Sequence, residues 1–176
     1  MEMRYKLQKA LDESRDVIAS TSRQFAGAFG RDHGGMLWQY RMDDAEMILV
    51  GMGSVASEAT TAADMLRSEG IKAGVAGIRV FRPFPKEDVR MAFRKAKAIC
   101  VFEKGISYGY EGALCSEIKA AFYGTDIRLP IHNYICGLGG RDVKARELAE
   151  AIRSSRDAIA AGDMEPAPKW LNCFTE

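Results

Sequence analysis

Glu46-Met-Ile-Leu-Val-Gly51-Met-Gly53-Ser54-Val-Ala56 is the stretch whose reading decides the fold. Its first half is an unbroken apolar run, which is what a strand buried on both faces requires. Two glycines interrupt the run, and the apolar residues over 54–69 then take helical spacing. Ser54 is placed to cap that helix and Gly70 to stop it. Strand, tight turn and helix in immediate succession make half of a parallel crossover unit. The alternation repeats downstream. Residues 72–80 read as a second buried strand, and Pro83 and Pro85 forbid further ladder pairing. A helix over 86–96 follows, then a strand over 98–103 and a glycine-spaced loop from Gly105 to Gly112. A helix over 113–123, a strand over 131–135 and a helix capped by Asp142 and running to Ala161 complete the series.

Upstream of the deciding stretch, Leu7, Leu11, Ile18 and Phe25 repeat at near-helical spacing and predict an amphipathic helix over 5–26. Met36, Trp38 and Tyr40 share one face of a short strand. No crossover helix separates that strand from the next, so it is expected at a sheet edge, antiparallel. The predicted class is therefore α/β, in three layers (α/β/α), with a five-stranded, mostly parallel sheet and one antiparallel strand. Residues 1–34 form the helix and its glycine-rich connection, and 35–161 form the α/β domain. Residues 162–176 read as an extended arm, whose Trp170, Leu171 and Phe174 are too apolar to hang free; it packs back or docks on a partner.

Composition narrows the function. The chain has 176 residues, 25 Lys+Arg against 24 Asp+Glu and a net charge of +1. Balanced charge removes the electrostatic case for nucleic acid or an anionic membrane. No apolar run approaches the ~18 residues of a membrane span, and the charged residues at the start make no secretory signal. A soluble, cytoplasmic protein is expected. Cys100, Cys115, Cys136 and Cys173 are widely spaced, with no close pair to aim two thiolates at one metal, so structural thiols and no metal site are expected.

Gly51, Gly53 and Ser54 fit G-x-G-x-x-A between a strand and a helix, as in dinucleotide-binding folds. The acid such a site wants after the second strand is missing; Ile78-Arg79-Val-Phe-Arg82 stands there instead. Arg79 or Arg82 would suit a 2′-phosphate, which leaves an NADP reading open. The plainer reading is a tight turn in which glycines avoid clashes. Gly137-Leu-Gly-Gly-Arg141-Asp142 has the glycines of an anion nest, but a capping Asp142 would occupy its amides. His132 and Cys136 share a strand face too far apart for a nucleophile pair. Glu103 and Glu111 flank the loop after the third buried strand, where α/β proteins place ligands and contacts. Glu103 ends an apolar run and is expected to be partly buried and hydrogen-bonded. Tyr108 and Tyr110 suit an interface anchor. With Arg141 they form the predicted interface set, Glu111 pairing with a base across the contact. No catalytic residue emerges.

Three segments carry a family resemblance: Ile78-Arg-Val-Phe-Arg-Pro-Phe-Pro85, Glu103-Lys-Gly-Ile-Ser-Tyr-Gly-Tyr-Glu-Gly112 and Asn133-Tyr-Ile-Cys-Gly-Leu-Gly-Gly-Arg-Asp142. With the Gly51–Ser54 turn, they make residues 1–160 resemble the transketolase C-terminal-like domain of the pyruvate (2-oxoacid):ferredoxin oxidoreductase alpha subunit. The resemblance implies a sheet whose first strand runs antiparallel to four parallel ones. It implies a piece of a larger enzyme that oxidatively decarboxylates a 2-oxoacid to an acyl-coenzyme A and passes electrons to ferredoxin. Thiamine diphosphate, Mg²⁺ and iron–sulfur clusters would lie on other domains or subunits, and this chain alone would bind no cofactor and be inactive. Its partners would be those subunits or domains, with ferredoxin and coenzyme A reached through the whole enzyme. The alternatives are an NADP-binding Rossmann-like domain and a transketolase-type protein outside the ferredoxin family.

Overall fold

Apolar runs bounded by glycine and proline become strands here, and amphipathic stretches between them become the helices that cover the sheet. A computed structural model of the chain describes residues 1–164 and 166–173. In order the elements are α1 (Glu2–Phe29), β1 (Leu37–Tyr40), β2 (Met47–Gly51), α2 (Gly53–Ser68), β3 (Ala73–Ile78), α3 (Lys86–Phe93), β4 (Ala98–Glu103), α4 (Ala113–Phe122), β5 (Ile131–Ile135), α5 (Ala145–Ala160) and β6 (Lys169–Trp170). The strand order is β1-β3-β2-β4-β5-β6. β1 runs antiparallel to β3, and every other pair is parallel. The α/β class, the mostly parallel sheet and the antiparallel edge agree with the sequence reading.

The strand number does not. Among the described residues six strands form instead of five, because the arm packs back and Lys169 and Trp170 pair with Tyr134 and Ile135. The Leu171 amide extends the pairing to the Ile135 carbonyl at 2.9 Å. Phe174 lies outside the described residues.

Period-two alternation sends neighbouring strand residues into two different cores. Leu49, Val75, Phe102 and Tyr134 pack against Val55 and Leu66 of α2 and Leu148 and Ile152 of α5. Ile48, Val50, Ile99 and Val101 pack against Val89 and Phe93 of α3 and Ile118 of α4. Phe102 and Tyr134 stack across β4 and β5 with centroids 5.1 Å apart. On the edge, β3 presents Gly77 to the Trp38 indole of β1, and a Cβ at Gly77 would overlap that ring at 2.1 Å.

Two predicted caps are replaced. α2 begins at Gly53 with no side-chain cap, and the Ser54 hydroxyl instead lies 3.3 Å from Lys104 Nζ. α5 begins at Ala145 rather than at Asp142. Its first amides are met by Glu147, which accepts from Lys144 N at 3.0 Å, and by Glu58 of α2, which accepts from Ala145 N at 2.8 Å. A carboxylate borrowed from a neighbouring helix also ties the two helices of that layer together.

One polar cluster sits inside the α2/α5 layer. Ser155 of α5 is fully buried, with its Oγ 2.9 Å from His132 Nδ1, 2.6 Å from Tyr134 Oη and 3.2 Å from Cys100 Sγ. His132 Nε2 lies 3.3 Å from the Asp163 carbonyl. A carbonyl only accepts, so Nε2 carries the proton and Nδ1 receives the Ser155 hydroxyl. Burial holds His132 below its ordinary pKa, and nearby Lys169 adds to the effect. A depressed histidine pKa means that the unfolded chain takes up the proton first as pH falls. Stability from this group is therefore complete above the ordinary histidine pKa, about 6.5, and is lost as pH drops below it. Urea melts between pH 7 and pH 5 are expected to show that loss, and a His132→Asn variant is expected to show a shallower one.

Candidate functional site

β2 feeds α2 and then β3 on one side of the sheet, whereas β4 feeds α4 and then β5 on the other. The loops after β2 and β4 therefore diverge and leave a crevice at the C-terminal rim, the place where open parallel sheets bind ligands and partners. A cavity of 360 Å³ opens there, lined by Met52, Val55, Phe81, Phe102 and Leu114, with Glu103 and Lys104 at its side. A smaller one of 270 Å³ lies next to it, between Ser54, Glu58, Lys104, Gly137 and Arg141.

Glu103 organises the rim. Its carboxylate accepts from Leu114 N at 2.8 Å and from Cys115 N at 3.1 Å, so the side chain that ends β4 caps α4. Asn133 of β5 donates to the same carboxylate at 2.9 Å, and its own Oδ1 accepts from Gly112 N at 2.9 Å. Burial raises the Glu103 pKa, against the pull of those three hydrogen bonds. Each end of the loop from Lys104 to Gly112 is thus fixed. Gly112 has ordinary extended backbone, yet a Cβ there would fall 1.8 Å from Glu103 Oε1, so glycine is demanded by close approach. Asn133 is the residue that sequence reasoning gave no role. Its signal was a polar side chain, beside His132, inside a buried strand, which must find buried partners.

The predicted interface set divides. Tyr108 and Tyr110 are 90 % and 68 % exposed, on a turn closed by Tyr110 N donating to Ser107 O at 2.9 Å. Arg141 is exposed on the neighbouring loop. Glu111 instead turns inward: it is 5 % exposed, accepts from Ser116 Oγ at 2.9 Å and pairs with Lys119 Nζ at 2.7 Å. Its charge is balanced within the chain, so the expected pairing across a contact is corrected. Glu103 is likewise spent on the cap.

The glycines of the first motif serve the turn itself. A Cβ on Gly51 would stand 3.2 Å from Ala56 N and 3.3 Å from Val55 Cγ1, and Gly53 has φ +56°. Arg82 is held by Glu117 and stacked 4.3 Å from the Phe81 ring centroid, so it is engaged within the chain. The NADP reading is not favoured. Cys100, Cys115 and Cys136 are buried. Burial pushes the Cys100 thiol up to about 12 and the Cys136 thiol up to about 11, so both stay protonated and unreactive.

Comparison with known proteins places this geometry. Residues 45–148 match the family model described as pyruvate:ferredoxin oxidoreductase core domain II. The chain is 38% identical over 171 residues to ketoisovalerate oxidoreductase subunit VorA of Pyrococcus horikoshii, covering 97% of this chain and 43% of that one. It is 37% identical over 162 residues to pyruvate synthase subunit PorA of Methanosarcina barkeri, covering 92% and 40%. It thus spans about two-fifths of the length of the curated relatives it matches. The fold is shared with 2-oxoglutarate:ferredoxin oxidoreductase from Magnetococcus marinus, at TM-score 0.53 and 19% identity over 74% of this chain and 21% of that one. A split-gene transketolase, described as an inactive beta4 tetramer, shares it at TM-score 0.51 and 20% identity over 66% and 40%.

The rim geometry gives a direct test. Gly112→Ala forces the Glu103 carboxylate away and strips the acceptor from two helix amides, an expected cost of about 1–3 kcal/mol. Chemical denaturation of the variant against the parent chain measures it.

Proposed function

Since the chain belongs to the pyruvate:ferredoxin oxidoreductase core domain II family, we propose that it is a non-catalytic structural domain of a 2-oxoacid:ferredoxin oxidoreductase, pyruvate being the expected oxoacid. In this reading the rim of the sheet, through Tyr108, Tyr110 and Arg141, faces another domain or subunit of the enzyme. The supporting observation is the loop from Lys104 to Gly112. Glu103 and Asn133 clamp its ends, and two large aromatic rings stand in solvent between them. Rigid, exposed tyrosines offer much contact area at little entropic cost on docking.

The family chemistry requires thiamine diphosphate with Mg²⁺, and electron transfer through iron–sulfur clusters. Thiamine diphosphate supplies the carbanion-stabilising centre when bound. The rim residues here do not fit it. Mg²⁺ needs oxygen ligands free to face it, yet Glu103, Glu111 and Glu58 are each committed to amides or cations of this chain. Among the described residues, no three His, Cys, Asp or Glu side chains come together as a metal-holding group. The cofactors are assigned to other domains, and no step of the reaction is assigned to this chain. Its work is to position: it keeps a preformed rim against the domains that hold the reacting atoms. Ferredoxin and coenzyme A meet the whole enzyme. No helix among the described residues is long and apolar enough to cross a membrane; the proposed location is the cytoplasm.

Two measurements test this. The chain alone, given pyruvate, coenzyme A, thiamine diphosphate, Mg²⁺ and ferredoxin, is expected to reduce no ferredoxin; measurable turnover would sink the structural reading. Tyr108→Ala combined with Tyr110→Ala is expected to cut copurification with the thiamine-diphosphate-binding subunit at least tenfold while shifting the melting temperature of the isolated chain little. If the double variant unfolds the chain and leaves assembly of the surviving fraction intact, the loop belongs to the core.

A further inference from the structure

We infer that the free N-terminal half of α1 is a second docking element, which lays its apolar stripe in an acid-rimmed groove on the part of the family polypeptide that this chain does not contain. The inference rests on the reading of the chain as one domain of that enzyme.

α1 runs from Glu2 to Phe29 without one buried residue. At 1.5 Å per residue it is about 42 Å long, and a helix with no packed face is marginal in water. From Leu11 onward one side is partly covered, at Leu11, Ser14, Arg15, Ile18 and Ser22. Arg15 fixes that section by donating to the Phe84 carbonyl and lying 3.8 Å from Glu87 of α3. Residues 1–10 are exposed throughout. The covered stripe does not end where the cover ends. Leu7 and Met3 continue it at four-residue steps and are 56 % and 84 % exposed. A stripe whose apolar members Leu11 and Ile18 are partly covered, and whose continuation through Leu7 and Met3 is bare, marks a surface completed by something else.

Three observations choose the occupant. The match to pyruvate synthase subunit PorA of Pyrococcus abyssi covers 100% of this chain, α1 included, but only 44% of the relative. More than half of such a polypeptide is thus left to cover the helix. The bare stripe is continuous with the surface by which α1 packs on this domain, so a body seated on it would abut the domain directly. The charges that flank it are basic: Arg4 and Lys6 stand one on each side of Met3 and Leu7, whereas Lys9 lies on the opposite face paired with Glu13, Asp12 is taken by Gln8, and Glu2 lies beside the N-terminal ammonium. A groove with carboxylates along its edge complements that pattern.

The probe is the segment of Pyrococcus abyssi PorA outside the match, expressed separately and titrated by calorimetry with this chain, with Met3→Glu plus Leu7→Glu, and with Tyr108→Ala plus Tyr110→Ala. The helix variant is expected to bind at least tenfold more weakly, with an unchanged melting temperature, because Met3 and Leu7 stand in solvent in the folded chain. Raising salt from about 50 to about 300 mM is expected to weaken the parent's binding, as screening of a charged rim requires. Binding that survives the helix change but not the loop change overturns this inference and leaves the structural reading in place. Binding lost by the helix change alone sustains the inference and removes the loop from the contact. An unmodified chain that does not bind overturns both. Sedimentation showing a dimer that the helix variant dissolves makes a second copy the occupant and overturns it as well.

Discussion

The carboxylate of Glu103 is the point on which the functional end of the molecule depends. It closes β4, supplies the first turn of α4 with the acceptor its amides need, and receives Asn133 from β5. A helix start left without acceptors costs free energy at each bare amide, so one side chain couples the sheet, the helix layer and the loop between them. The carboxylate lies half-buried for that reason, and its raised pKa records the desolvation. Gly112 is the complement of this arrangement, since only a missing Cβ lets the backbone pass the carboxylate. Change at the rim is thereby constrained in pairs. A residue with a side chain at 112 needs a shorter one at 103, and a shorter one no longer reaches α4.

What the sequence disclosed and what it concealed follow from how far each signal reaches. β2, β3 and β4 were legible because strands buried on both faces must be apolar without interruption, a pattern carried inside one short window, whereas β5 carries His132 and Asn133 between its apolar ends. Proline and glycine marked most of their ends. β6 was not legible, because two residues carry no period and its pairing comes from β5, far away in the chain. The α5 cap failed in the same way: Asp142 has the right chemistry, but the acceptor for Ala145 comes from Glu58 on another helix. Within the site, Tyr108 and Tyr110, expected as interface anchors, stand exposed, whereas Glu111, expected beside them, turns inward. Ser116 and Lys119 lie three residues apart on one face of α4, above the loop, and their spacing was the available sign that Glu111 would be claimed from inside.

The buried Ser155 cluster belongs to the scaffold. Three polar groups, His132, Tyr134 and Cys100, reach one hydroxyl in an otherwise apolar layer. Such groups specify how α5 sits on the sheet, since any slide of the helix would strand them without partners. The same fixed seat holds the start of the arm through the Asp163 carbonyl. The arm thereby arrives beside β5 at one register.

Both margins of the sheet are short: β1 has 4 residues and runs against the direction of its neighbour, and β6 has 2. A long bare margin invites strands from other molecules and leads to aggregates. The Trp38 ring set into the Gly77 notch stiffens one border, and the returning arm trims the other. A domain built this way cannot enlarge an assembly by lengthening its sheet across a subunit boundary. It can be added to a polypeptide, or separated from one, without exposing a sticky border, which suits a module that recurs in chains of different length.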